Sequence, residues 1–169
     1  MAETIKIVGH KNPDNDSIAA AVSYAYLKNA LEAKKDAPEA NYVACCLGPL
    51  PQESATILER TGLPTPELIS SVAAGEKVIL VDHNELSQSV PGLKQAEILE
   101  IIDHHRLADI QTASPIFFRN EPLGSTATII ATMYREKGVV PEKKIAGLLA
   151  AAIVSDTVMF KSPTCTRYD

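Results

Sequence analysis

Short apolar runs alternate with longer segments of helical periodicity from the start of the chain. Thr4-Ile5-Lys6-Ile7-Val8 reads as a buried strand, and Ile18 to Ala33, rich in Ala with Leu27 and Leu31 on one face, reads as a helix. Asn41 to Leu47 predicts a second strand. Glu53 to Thr61 predicts a helix closed by Gly62, and the Pro-bounded segment Pro66 to Ala74 a further helix closed by Gly75. Lys77-Val78-Ile79-Leu80-Val81 is almost wholly apolar, as a strand covered on both faces must be, and Glu97 to Ile102 repeats that pattern. Ser114 to Arg119 predicts a short strand, Ser125 to Lys137 a helix ended by Gly138, and Pro141 to Val154 a helix with proline at its first position. Strands alternating with helices imply parallel pairing through right-handed crossovers. The expected fold class is α/β: an open, mainly parallel sheet with helices on both faces.

Composition narrows this picture. A length of 169 residues suits one domain, at roughly 100–200 residues per domain, and 46% hydrophobic with 22% charged residues excludes general disorder. A net charge of −5 argues against a nucleic-acid partner, whose phosphates call for a basic surface. The most apolar stretch, Ile145 to Val154, falls far short of the ~20 residues that cross a bilayer. Met1 to Lys6 carries no signal pattern, so a cytoplasmic location and no membrane partner are expected. Cys45 and Cys46 are adjacent and Cys165 stands alone, which suits reduced thiols; no role beyond packing is legible for the adjacent pair.

In an open parallel sheet the functional crevice lies beyond the carboxyl ends of the strands. After Val8 comes Gly9-His10-Lys11-Asn12-Pro13-Asp14-Asn15-Asp16-Ser17, after Val81 comes Asp82-His83-Asn84, and after Ile102 comes Asp103-His104-His105. All four histidines of the chain fall at these ends, and Asp156 follows the apolar stretch that closes at Val154. Turn and capping roles explain single residues, with Asp16 or Ser17 able to cap a helix from Ile18. They do not explain every histidine at one sheet edge. So many carboxylates in one crevice repel one another at a cost of several kcal/mol unless cations neutralise them. Oxygen and imidazole donors without thiolate favour Mn²⁺, Co²⁺ or Mg²⁺. Asp14, Asp16, Asp82 and Asp156 match the charge of two such ions, and Asp82, leaving the most buried strand, is the natural bridge. Two metals about 3.5–4 Å apart suit attack on phosphorus.

These segments, together with Ser155-Asp156-Thr157, Gly124-Ser125-Thr126-Ala127-Thr128 and Phe160-Lys161-Ser162-Pro163-Thr164, resemble the DHH phosphoesterase superfamily. Within it the match is to the N-terminal catalytic domain of the manganese-dependent (family II) inorganic pyrophosphatases, a Rossmann-like domain. Asn15 departs from that pattern, standing where many relatives have Thr. The resemblance implies one metal on His10, Asp14 and Asp82, and a second on Asp16, Asp82, His104 and Asp156. It implies that Mn²⁺ is the usual cofactor, two ions per chain, with Co²⁺ or Mg²⁺ as substitutes. The implied reaction is hydrolysis of pyrophosphate to two orthophosphates by a metal-bridging hydroxide, with Asp82 and His105 as catalytic residues and His105 facing the substrate. Asp103 is read as orienting an imidazole or a loop amide, and His83 and Asn84 as packing or support. Lys161 is the best local candidate for a substrate-binding cation, ahead of Lys11, Arg106 and Arg119.

Relatives carry a further, C-terminal domain that grips the phosphates. Residues 1–169 are therefore expected to be the metal-binding catalytic domain without that substrate-gripping domain, weakly active or inactive alone, and a homodimer through this domain. Two alternatives stand: a phosphodiesterase acting on short oligoribonucleotides or cyclic dinucleotides, and a non-catalytic metal-binding dimerisation module. Val81-Asp82-His83-Asn84 and the Phe160 to Thr164 segment favour the pyrophosphatase. A nucleotide binder of the Rossmann type lacks its Gly-x-Gly-x-x-Gly turn here.

Overall fold

The computed structural model describes residues 2–169, and the apolar runs of the sequence become one sheet of six parallel strands. In chain order the elements are β1 (Glu3–Val8), α1 (Asn15–Glu32), β2 (Ala40–Cys46), α2 (Gln52–Thr61), β3 (Glu67–Leu68), β4 (Lys77–Val81), β5 (Glu97–Asp103), β6 (Phe117–Asn120), α3 (Thr126–Glu136) and α4 (Lys143–Asp156). Single 3₁₀ turns at Leu86–Gln88 and Leu93–Gln95 lie between β4 and β5. The strand order is β3-β2-β1-β4-β5-β6, so the winding reverses between β1 and β4, which pair Ile7 with Ile79 and Val8 with Leu80. A parallel sheet opens a crevice at that reversal, beyond the strands' carboxyl ends.

Alternation along the strands divides the core in two. Ile5, Ile7, Ile79, Val81 and Ile102 face α1, α3 and α4, where Leu27, Ile129, Ile130, Ile145 and Leu148 complete one cluster. Val8, Val78, Leu80, Ile98 and Ile101 face the other way, onto Ile69, Val72, Val90 and Leu93. The helices expected on both faces are thus unequally shared: the α-helices pack on the first face, and the second is covered by 3₁₀ turns and irregular chain. Helix α1 is enclosed by sheet, α3 and α4. Its Ala19, Ala20 and Ala21 are fully buried, their small side chains admitting close approach on every side. Burying each isoleucine here stabilises the fold by about 1.5–3 kcal/mol.

Several local expectations need correction. The helix expected over Pro66 to Ala74 is absent: β3 pairs Glu67 with Cys45 and Leu68 with Cys46, and the backbone of Val72 then bonds to Pro91. Ile69 and Val72 have helical spacing, but their amides are committed to neighbouring chain. Helix α1 starts three residues earlier than expected, with Asp14 rather than Asp16 or Ser17 as its cap: Asp14 Oδ1 accepts the Ser17 N–H at 2.9 Å. Pro141 lies outside α4, which is capped at Glu142 and runs on past Val154 to Asp156. The last strand begins at Phe117, not Ser114.

Candidate metal centre

Four chain segments converge where the sheet reverses. Leaving β1, Gly9 lets the backbone press against the start of α1, since a Cβ there would sit 2.0 Å from Ser17 Oγ. His10 follows, its amide donating to that hydroxyl at 3.1 Å. Its ring Nδ1 lies 2.8 Å from the carbonyl of Lys11. A carbonyl only accepts, so Nδ1 carries a proton, and Nε2 offers a lone pair once its own proton is displaced. That Nε2 stands 3.4 Å from Asp14 Oδ2 and 3.4 Å from Asp82 Oδ2. Asp14 caps α1 with one oxygen and keeps the other for the cleft.

Asp82 leaves β4 in the left-handed region, φ 62°, with its amide bonded to Ile102. Aspartate tolerates this conformation better than branched residues, and such strain, about 1–3 kcal/mol, gathers at functional sites. Its Oδ1 accepts from Thr126 Oγ1 at 2.8 Å, while Oδ2 is buried with no hydrogen-bond partner. Asp16, in the first turn of α1, is buried against the start of α3: Ser125 Oγ donates to it at 2.6 Å, the Thr126 amide at 2.7 Å and the Ala127 amide at 3.0 Å. These are the free donors and positive dipole end of a helix, which suit an anion. His104 donates Nδ1–H to the Leu123 carbonyl at 2.9 Å, and its Nε2 lies 3.6 Å from Asp82 Oδ1 and 3.5 Å from Asp156 Oδ2. His105 donates Nδ1–H to Asp103 Oδ1 at 2.8 Å. Asp103, fully buried, also accepts the backbone amides of His104 and His105 and the side-chain amide of Asn84.

The structure therefore brings His10, Asp14 and Asp82 into one group and Asp16, His104 and Asp156 into another, with Asp82, His104 and His105 forming a third that overlaps both. The histidine–carboxylate gaps of 3.4–3.6 Å are longer than ordinary hydrogen bonds. Two donors about 2.1 Å from a common divalent ion stand roughly 3.0–3.5 Å apart in octahedral or tetrahedral geometry. The orphaned Asp82 oxygen, the free Nε2 atoms and an all-oxygen-and-imidazole donor set fit hard divalent ions.

Electrostatics point the same way. Burial, then the charge of Asp16, pushes Asp82 well above the carboxylate range; burial likewise raises Asp16, and burial plus Asp16 takes Asp156 to about 6. Without cations the cluster would rather hold protons. Burial opposes the charge on His10, but Asp14 and Asp82 outweigh it and lift the imidazole to about 11. Burial is also outweighed at Asp14, which His10 and the Ser17 amide hold below its usual value. Asp103 raises His105 to about 9, leaving it charged at neutral pH. His83 is the exception: burial pulls it down to about 4, its Nδ1 bonds the Val81 carbonyl at 2.9 Å, and its buried Nε2 has no partner.

A cleft of about 320 Å³ opens over the first group, lined by His10, Asp14, Asp82, His105 and Arg106 among others. Of the cations considered from the sequence, only Arg106 reaches it. Lys11 reaches out to the Ser87 carbonyl at 3.0 Å, and Arg119 is held by Glu121 and Glu136. Lys161 is exposed and is not among the residues that line the cleft. The residues that sequence reasoning left without a role are Ser125 and Thr126, which hold Asp16 and Asp82. Their signal was Gly124-Ser125-Thr126 opening a helix, an anion-binding terminus by its chemistry.

Comparison with known proteins adds to this geometry. Residues 4–153 match a family model described as the DHH family, N-terminal domain. The chain is 52% identical over 169 residues to a manganese-dependent inorganic pyrophosphatase of Methanothrix thermoacetophila, a match covering 100% of this chain and 52% of that protein. Among solved structures, a Methanococcus jannaschii protein named for the family II inorganic pyrophosphatases superposes with a TM-score of 0.85 at 40% identity, over 97% of this chain and 52% of that one. An exopolyphosphatase-related protein of Bacteroides fragilis shares the fold, with a TM-score of 0.68 at 18% identity over 98% of this chain and 49% of the other. The chain thus spans about half the length of the relatives it matches.

Proposed function

Since this chain belongs to the DHH family, matching its N-terminal domain over residues 4–153, we propose that it is the metal-holding catalytic domain of an inorganic pyrophosphatase. In this reading residues 1–169 form that one domain and two divalent ions, Mn²⁺ by preference, are held. One rests on His10, Asp14 and Asp82, and the other on Asp16, Asp82, His104 and Asp156. The observation that carries it is the buried, unpartnered Asp82 Oδ2 beside His10 Nε2, with His104 Nε2 on the carboxylate's other oxygen. Bound there, the ions would neutralise the carboxylates and supply Lewis acidity toward water and phosphoryl oxygens.

The chain's own residues do the rest. Backbone carbonyls fix the His10 and His104 rings so that Nε2 of each faces the site. His105, charged through Asp103 and half exposed in the cleft, presents an N–H to phosphate oxygens as charge develops on them. Arg106 is the only lysine or arginine among the cleft residues. Pyrophosphate brings up to four negative charges, so this chain by itself binds substrate weakly and turns over slowly; Lys161 contributes only if its loop reaches the cleft. A homodimer is supported by β6, an edge strand whose Phe117 and Phe118 are 50% and 43% exposed. A cytoplasmic setting agrees with the free cysteines, Cys45 and Cys46 among them. No helix among the described residues is long and apolar enough to cross a membrane.

The test is calorimetric Mn²⁺ titration followed by parallel incubation with pyrophosphate, a short oligoribonucleotide and a cyclic dinucleotide. Two ions bound and slow phosphate release from pyrophosphate alone are expected. Faster cleavage of either nucleotide would overturn the substrate assignment, and fewer than two ions would overturn the metal assignment.

A further inference from the structure

The supports of the second metal group are themselves tied together at one point. Segment 123–127 orients His104 through the Leu123 carbonyl, holds Asp16 through Ser125, Thr126 and Ala127, and holds Asp82 through the Thr126 hydroxyl. What fixes this segment is the carboxylate of Asp169. The Gly124 amide donates to both its oxygens at 3.0 Å, Thr128 Oγ1 donates at 2.7 Å, and the amide and hydroxyl of Thr166 donate at 2.6 and 2.9 Å. Burial would raise this carboxyl, but those donors hold it below its usual value.

Gly124 is an independent sign of a close fit. A Cβ there would meet Asp169 Oδ2 at 3.0 Å and Thr157 Cγ2 at 2.7 Å. Thr157 is fully buried, follows Asp156 directly, and bonds the carbonyl of Ile153 in the last turn of α4. Two stretches therefore meet at Gly124: segment 123–127, which orients His104 and holds Asp16 of α1 and Asp82 after β4, and the end of α4, which carries Asp156. Among the described residues, the side-chain hydrogen bonds and ion pairs of His10 and Asp14 lie within residues 10–17 apart from those to Asp82.

We propose that Asp169 is a positioning residue for the second divalent ion: by pinning Gly124 and Thr128 it sets the placement of Asp16, His104 and Asp156 relative to one another. This rests on the two-ion reading above. Outer contacts that orient metal ligands are typically worth 10–100-fold in affinity, and Asp169 acts one contact further out, so about ten-fold is expected.

The experiment is Mn²⁺ titration by calorimetry and electron paramagnetic resonance on the chain and its Asp169→Ala, Asp169→Asn and Gly124→Ala variants, with the metal-free unfolding midpoint of each. Asp169→Ala should weaken the second ion about ten-fold and the first, which meets this segment only through Asp82, several-fold less. Asp169→Asn, which keeps one acceptor oxygen, should fall between. Gly124→Ala, which pushes on the same carboxylate from the other side, should weaken the same ion. Unchanged affinities, or two ions weakened together in step with a lower midpoint, would overturn the proposal, the latter showing a merely structural tie. An unsubstituted chain that binds fewer than two ions overturns the parent reading, and this one with it.

Discussion

The two metal groups are built in different ways. His10 and Asp14 are held by their own neighbourhood: the Lys11 carbonyl, the Ser17 amide, and a Gly9 that permits the tight turn between β1 and α1. The Asp14 side chain is 55% exposed. Asp16, by contrast, is 2% exposed and accepts from Ser125, Thr126 and Ala127, more than a hundred residues along the chain. The first position needs only β4 beside β1 to bring Asp82 to His10 and Asp14, whereas the second also needs α3 and α4 packed on α1. Asp82 is common to both. In the proposed two-ion arrangement the second ion would thus be coupled to long-range packing, and the first mainly to local turn geometry.

The sharpest way to break this comparison is through the shared ligand. Asp82→Asn should weaken both ions by at least about 100-fold, more than the loss typical of an outer contact. Asparagine accepts the left-handed backbone and removes a buried charge that the protein neutralises poorly, so the metal-free midpoint should rise while Mn²⁺ affinity collapses. A variant that loses only one ion would show that Asp82 does not bridge.

Acidity separates the positions next. A metal must displace the proton from its ligands, and His10, lifted to about 11, holds its proton throughout the neutral range. Affinity at the first position should therefore climb by at least about ten-fold per pH unit between pH 6.5 and 8.5, the His10 proton being released as the ion binds, because raising pH removes the competitor. Asp156 has shed its proton once pH passes about 6, and the raised Asp82 is common to both positions, so the second ion, which lacks His10, should show the flatter profile. Calorimetry in buffers of differing ionisation enthalpy counts the protons. Equal slopes would mean that the two positions titrate as one unit. Asp14→Asn is a smaller perturbation: asparagine still caps α1, so the first ion should weaken, by about 10-fold or more, with the midpoint unmoved and the second ion intact.

How much of this was readable from sequence follows the same division. Asp82 and His104 stand out at the very ends of apolar strands, and His10 and Asp14 in the polar loop that leaves one, where polar residues interrupt a pattern that burial demands. The parallel order of the sheet follows from the alternation of strands and helices. The side of the sheet on which a helix packs does not, because periodicity marks which residues are buried but not against which face. Ile69 and Val72 mimic helical spacing although Cys46 and Pro91 claim the backbone around them. Asp16 reads from the sequence either as a cap or, through the resemblance, as a ligand, and its partners Ser125 and Thr126 are visible only in space. Lys161 stands out by its motif, and motif position carries no information about reach.

The smallest effect expected tests the coupling itself. Ser125 is fully buried and serves two masters: its hydroxyl oxygen accepts the Ala127 amide at 3.0 Å as the cap of α3, and its hydroxyl hydrogen goes to Asp16 at 2.6 Å. Ser125→Ala removes both bonds without adding bulk. Loss of the cap costs about 1 kcal/mol, which at this chain length lowers the midpoint by roughly 2–4 °C. Loss of the donor to Asp16 should weaken the second ion about ten-fold and leave the first alone. Ser125→Thr, which keeps the hydroxyl, should restore both. Asp14→Asn and Ser125→Ala then form a matched pair, one moving the first ion without the fold and the other moving the second ion with it. If Ser125→Ala shifted the midpoint but neither affinity, the start of α3 would be a scaffold only, and the coupling between long-range packing and the second ion would fail.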